Sequence, residues 1–167
     1  VAVSSVVITV EGVLKKHVAD APIPVGIALY HGLANTFNVL LAADMEKKEL
    51  DRWCALEGLN KHAAVEHNEG IIKSFDPDFR RLQQVKNLRQ RGYSIDLVIE
   101  PNPSIVVKLL EHGFSCMTYT HASYSMPQWR PDYQHKIRPW DDILDYEIKM
   151  AELRAIEEIS KEDKDNR

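Results

Sequence analysis

Cysteine is scarce in this 167-residue chain: Cys54 and Cys116 are the only two, each in an apolar setting. Two thiols cannot staple a domain of this length, so the fold must rest on its core. Buried free thiols in a reducing compartment, the cytoplasm, are the expectation. Long apolar runs are missing too. No stretch approaches the roughly 20 residues that span a bilayer, and no basic segment leads into an apolar core near the start. Neither a membrane span nor a secretory signal is therefore expected. Charge of one sign is not in large excess. The 21 Lys and Arg against 25 Asp and Glu leave a net charge of −4, which offers no general attraction for nucleic acid or an anionic membrane. There are no internal repeats. What is present, 44% hydrophobic and 28% charged residues, suits one globular domain with a substantial core.

That core is organised around residues 6–14, Val-Val-Ile-Thr-Val-Glu-Gly-Val-Leu. A short run so rich in Val and Ile fits a strand buried on both faces, as in a parallel sheet. Gly12 lets the chain turn sharply where that strand ends. In an open α/β sheet ligands bind at the carboxyl ends of the strands, which puts Thr9 and Glu11 on the floor of any site. Residues 14–24 read as a loop, 25–36 as a mostly buried helix, and 37–42 as the second strand. Asp44 is a candidate cap for a helix with Leu50, Trp53 and Cys54 on its inner stripe. A brief strand at 63–65 comes next. Asp76-Pro77 then opens a helix whose Phe79, Leu82, Val85 and Leu88 recur at helical spacing. Residues 95–99 form a strand ending in Glu-Pro-Asn-Pro. Asn102-Pro103 opens another helix, with Ile105, Val106, Leu109 and Leu110 facing inward, and 114–119 is the last strand. Strands alternating with helices of this length predict βαβ units and a mainly parallel, three-layer Rossmann-like sheet.

Residues 120–139 have no periodicity but are dense in aromatic residues, Arg and Pro. A long loop pinned to the domain by Trp129 and Tyr133 is the expectation, rather than a nucleic-acid surface built with Arg130, Lys136 and Arg138. A C-terminal helix carrying Ile143, Leu144 and Ile148 follows, so that residues 1–160 make one domain and 161–167 a frayed tail. His62, His67 and Glu69 do not fall on one helical face and read as a surface cluster rather than metal ligands.

The strand at 6–10 followed by Glu-Gly-Val-Leu resembles the first signature of the haloacid-dehalogenase-like (HAD) phosphohydrolases, an apolar strand ending in Asp-x-Asp-Gly-Val-Leu. The resemblance covers about residues 6–119 and implies a HAD-type core with little or no cap. The phrases Trp-Arg-Pro-Asp and Arg-Pro-Trp-Asp further on resemble small HAD-like proteins of tailed phages, which implies a phage-encoded protein acting in the host cytoplasm. In the family the first Asp is the nucleophile and the second the general acid/base; here Thr9 and Glu11 stand in their places. The Ser or Thr of the second motif falls at Ala43. The basic third motif falls at Lys86 or Arg81, and the magnesium-binding acids of the fourth at Glu100 and Asn102.

These replacements bear on the chemistry. A Thr hydroxyl needs a base to make it nucleophilic, and its phosphate ester offers water no activated carbonyl, so turnover would stall. Loss of a nucleophile alone costs on the order of 10⁶ in rate where it has been measured. The expectation is a catalytically degenerate HAD-fold protein, not an active phosphatase, that binds a protein partner or a small phosphorylated ligand through Thr9, Glu11, Gly12 and Asp44. The alternatives are a magnesium-dependent phosphatase or nucleotidase with non-standard residues, and a structural or assembly protein, which would oligomerise. No cofactor is expected. A residual site, if it survives, would hold magnesium through Glu11, Glu100 and Asn102.

Overall fold

The computed structural model describes residues 3–17, 19–119, 148–149 and 151–156. The chain divides into two units, Val1–Tyr119 and Thr120–Arg167. The first unit holds five strands, β1 (Ser4–Thr9), β2 (Asn38–Ala42), β3 (Ala64–Glu66), β4 (Ser94–Glu100) and β5 (Cys116–Thr118). They form one sheet in the order β3-β2-β1-β4-β5, every neighbouring pair parallel. Parallel neighbours cannot be joined by a tight turn. The crossovers are supplied by α1 (Pro24–Leu33), α2 (Lys47–Leu56), α3 (Pro77–Gln90) and α4 (Pro103–Glu111).

Three layers result, and the alternation of side chains along β1 explains why. Val6 and Ile8 pack on one face with Tyr30 of α1 and Leu50 and Trp53 of α2. Val7 packs on the other face with Leu82, Val85 and Leu88 of α3 and Ile105 and Leu109 of α4. A strand covered on both sides must be apolar at successive positions, which is what residues 6–8 supply. The chain builds outward from β1 to β3, then returns to lay β4 on the other side of β1. The strand order therefore reverses between β1 and β4. In sheets of this kind that reversal opens the ligand crevice, at the carboxyl ends of the strands.

Four local expectations need correction. Helix α1 is not mostly buried: Gly26 and Tyr30 are its buried residues, and Val25 is exposed. Asp44 does not cap α2, which begins at Lys47 with Glu46 at the N-cap and no side-chain cap bond; the Asp44 carboxylate is drawn away to an arginine described below. Phe79 does not share the buried stripe of α3. It is 48% exposed, and the Lys108 ammonium lies 4.2 Å from its ring centroid, an arrangement favoured at exposed aromatic faces. Leu110 of α4 is exposed as well. A 3-10 turn at Gly70–Ser74 was not foreseen. The caps at Asp76 and Asn102 do form, each side chain accepting from amides of its own helix.

Cys54 is buried and Cys116 half-buried, and both are free thiols. Among the described residues no helix is long and apolar enough to cross a membrane. In the second unit, residues 148–149 and 151–156 are helical, with Ile148, Leu153 and Ile156 exposed. The loop expected at 120–139, the start of its helix and the tail at 161–167 lie outside the described residues.

Candidate functional site

The reversal point sets Thr9, the last residue of β1, beside Glu100, the last of β4. Ile8 and Ile99 are paired in register just before them. The Thr9 hydroxyl donates to Glu100 Oε2 at 2.6 Å. The other Glu100 oxygen accepts the backbone N–H of Asn102 at 3.0 Å. One residue past β1 the chain bends, and Glu11 turns toward the exit of β2. There its two oxygens accept the backbone amides of Asp44 at 3.0 Å and Met45 at 3.1 Å. Gly12 follows with φ +90°. A Cβ there would come within 2.6 Å of the His17 ring and 2.7 Å of Pro101, so both the backbone conformation and the space call for glycine. The chain then returns to α1 through a short hairpin closed by an antiparallel bridge between Lys15 and Pro22. The indole N–H of Trp53 holds the hairpin by donating to Asp20 O at 2.9 Å.

Arg81 of α3 joins these pieces. Its Nη2 lies 3.0 Å from Asp44 Oδ1 and 3.8 Å from Glu11 Oε2, and its Nε lies 3.3 Å from Glu100 Oε2. The Nε contact is an ion pair without the alignment of a hydrogen bond. On the remaining side Nη1 donates to Gln84 Oε1 at 2.6 Å. Gln84 in turn donates to the Ala43 carbonyl at 2.8 Å. Arg81 and Glu100 are each 1% exposed, Thr9 2% and Glu11 6%.

Burying charge at this density shifts its protonation. Burial first, and the nearby Asp44 carboxylate second, push the Glu11 carboxyl up to about 7, against the pull of Arg81. Burial also raises Glu100, opposed by Arg81 and by the Thr9 hydroxyl. For Arg81 burial alone would lower the pKa, but Asp44, Glu100 and Glu11 together outweigh it and hold the guanidinium charged.

Of the residues read from sequence, Thr9, Glu11, Asp44 and Glu100 do converge, with Gly12 beside them. Ala43 contributes its carbonyl, its methyl being fully buried. Asn102 contributes its backbone N–H; its side chain accepts from Ser104 N and Ser104 Oγ as the cap of α4. No hydrogen bond or ion pair joins Lys86 to the cluster. Five residues along a helix turn it about 140° from Arg81, which alone of the two basic candidates faces the crevice. Gln84 was missed. The signal was there, because Arg81 and Gln84 lie on the same stripe of α3 as Leu82, Val85 and Leu88, and polar residues on a buried stripe need partners. His62 and His67 lie apart from the crevice in their bonding: His62 Nδ1 is 2.9 Å from the Tyr30 hydroxyl, and His67 pairs with Glu69 at 3.5 Å. Among the described residues no group of three or more His, Cys, Asp or Glu is arranged to hold a metal ion.

The donor set fits magnesium poorly. That ion wants six oxygens in a near-octahedral shell. Here both oxygens of Glu11 and both of Glu100 already accept hydrogen bonds from the protein, Asp44 Oδ1 is on Arg81, and a guanidinium stands between the carboxylates.

Fold and crevice together define a three-layer, Rossmann-like α/β protein with a buried ionic cluster at the reversal of its parallel sheet. No protein-family model matches the chain, and no curated protein matches it. Among solved structures it is similar to chains in "Structure of Pnkp1/Rnl/Hen1 complex" and "Structure of the Pnkp1/Rnl/Hen1 RNA repair complex". Each likeness has a TM-score of 0.57 at 12% identity and covers 70% of this chain. The chain spans less than half the length of those it matches, 46% of one and 42% of the other. A likeness at this identity is one of fold.

Proposed function

We propose that this is a HAD-like protein that has given up phosphoryl transfer and works by binding, through a protein partner or a small phosphorylated ligand. One observation carries the reading: the hydroxyl at the nucleophile position is spent on Glu100, and Glu100 is spent on Asn102 and Arg81. A catalytic nucleophile must be open to its substrate, whereas Thr9 is 2% exposed and hydrogen-bonded inward. The solved structures of similar fold come from multi-protein complexes, which agrees with a partner-binding role. The Trp-Arg-Pro-Asp and Arg-Pro-Trp-Asp phrases past residue 120 favour a phage-encoded protein, and the same role suits an assembly component.

A second reading has a specific observation in its favour. A hydroxyl 2.6 Å from a buried carboxylate is the geometry of a nucleophile with its base, so a phosphatase or nucleotidase built on Thr9 and Glu100 is the rival. One experiment separates the two. The full chain is incubated with magnesium and, in turn, p-nitrophenyl phosphate and a panel of nucleotides, while phosphate release and the unfolding midpoint are followed. Release at buffer background, with a midpoint that rises for one of the ligands or a stable partner on a sizing column, is the expected result. Magnesium-dependent release that disappears in Thr9→Val and Glu100→Gln would overturn the binding reading.

A further inference from the structure

Three carboxylates converge on this crevice, and one group opposes them. We infer that the crevice carries its cation as part of the chain: the Arg81 guanidinium takes the place that a divalent metal would need, and closes the site to metal. Hydrolysis of phosphate esters without metal would leave this charge balance standing, whereas magnesium-dependent hydrolysis in the crevice would not.

The geometry supports it from both sides. Arg81 is 1% exposed, so its charge is not there for solvation. Each of its three nitrogens is directed at a partner: Nη2 at Asp44 and Glu11, Nε at Glu100, Nη1 at Gln84. Gln84 is itself tied to the Ala43 carbonyl, so the guanidinium is fixed from α3 and from the exit of β2 at once. A planar fork with five N–H donors can bridge several carboxylates without their rearranging. A magnesium ion would have to strip the protein amides from Glu11 and the hydroxyl and amide from Glu100. Of the six carboxylate oxygens, Asp44 Oδ2 alone has neither a hydrogen bond nor an ion pair among the described residues. Asp44 is also the most exposed of the three side chains, at 34%, and one open oxygen is far short of an octahedral shell.

The arrangement predicts how the cluster responds when its cation is removed. Arg81→Gln keeps hydrogen-bonding capacity but leaves the carboxylates unopposed. Breaking a buried ion pair on one side should lower the folded-to-unfolded ratio by about 10²–10³-fold. The freed carboxylates then become a site for a divalent cation. Magnesium standing about ten times above its Kd should restore about tenfold of the ratio. Adding Glu100→Gln to Arg81→Gln removes one negative charge with the positive one. It should recover part of the ratio without metal and blunt the response to magnesium.

The test is urea unfolding of the full chain and both variants, with magnesium chloride, with sodium chloride at matched ionic strength, and with EDTA. The parent midpoint should be the same in all three. A magnesium-specific rise in the parent would overturn the inference, as would an Arg81→Gln variant that folds and answers neither to magnesium nor to Glu100→Gln. If Arg81→Gln alone does not fold, the double variant decides: recovery of a cooperative transition supports charge balance, and its failure overturns it.

Discussion

Replacing Thr9 by Val tests the bond at the reversal of the sheet with little change in shape. The hydroxyl donates to Glu100 at 2.6 Å, and hydrogen bonds to charged groups contribute about 1.5–3 kcal/mol. Valine returns part of that loss by burying a methyl in place of the hydroxyl, about 0.8 kcal/mol for a group of that size. The net expectation is destabilisation by about 1–2 kcal/mol. A pH dependence should come with it. Burial raises the Glu100 carboxyl and the Thr9 hydroxyl opposes that rise, so Thr9→Val should raise it further. A carboxyl raised on folding makes the native state bind more protons than the unfolded chain, and stability then falls as pH rises through the shifted range. The gap between parent and variant should therefore be small in acid and widen toward neutral pH. Urea unfolding followed by far-ultraviolet circular dichroism between pH 5 and pH 8 reads both effects. A variant within about 0.5 kcal/mol of the parent at every pH, the range of an ordinary surface change, would refute the pairing of Thr9 with Glu100.

Three further outcomes test the frame around the crevice. Leu82 is 3% exposed on the α3 face of the sheet, so Leu82→Ala should cost about 2–5 kcal/mol, while Phe79→Ala, on the exposed side, should cost far less in the same unfolding assay. A Cβ on Gly26 would fall 1.7 Å from the Val13 carbonyl oxygen, whereas one on Gly32 meets nothing within 4 Å. Gly26→Ala should therefore destabilise by about 1–3 kcal/mol or more, and Gly32→Ala should stabilise by about 0.5–1 kcal/mol, as read by thermal denaturation. Burial lowers His62 from its ordinary value of 6.5, against the pull of Asp51, so its contribution is present above that value and lost as pH falls below it. His62→Phe should flatten the acid side of the stability profile, and an unchanged acid limb would refute the assignment.

The fold was legible because its signals were local. Apolar runs with β-branched residues located the strands to within one or two residues of β1, β2 and β4, and caps at Asp76 and Asn102 located α3 and α4. Each rests on a few neighbouring side chains acting on their own backbone. Half of the crevice was legible for a related reason. In a parallel sheet the last residues of the strands must lie side by side, so Thr9, Glu11 and Glu100 could be brought together without knowing the strand order. Asp44 was misread because capping was weighed against no competitor. An aspartate before a helix is a cap only when no stronger partner is within reach, and the guanidinium 3.0 Å away is one. Phe79 was misread because periodicity alone does not say which edge of an apolar stripe is covered.

The same limit explains why Arg81 is the residue that sequence reading placed least firmly, although it has the most to do in the site. Nothing around it in the chain reveals its charge partners, which come from β1, the exit of β2 and β4. Its position next to Leu82 looks like the edge of a solvated helix face until the sheet is assembled beneath it. Once there, a buried guanidinium is costly unless every N–H finds a partner. Those partners are Asp44, Glu11, Glu100 and Gln84. Thr9 need not carry charge if Glu100 and Arg81 already balance. Glu11 reaches the amides of Asp44 and Met45 with one methylene more than an aspartate has. Thr9, Glu11, Glu100 and Arg81 thus fit one another as a set. A set of that kind resists single substitutions: Thr9→Asp alone would place a second carboxylate against Glu100 and should destabilise the protein.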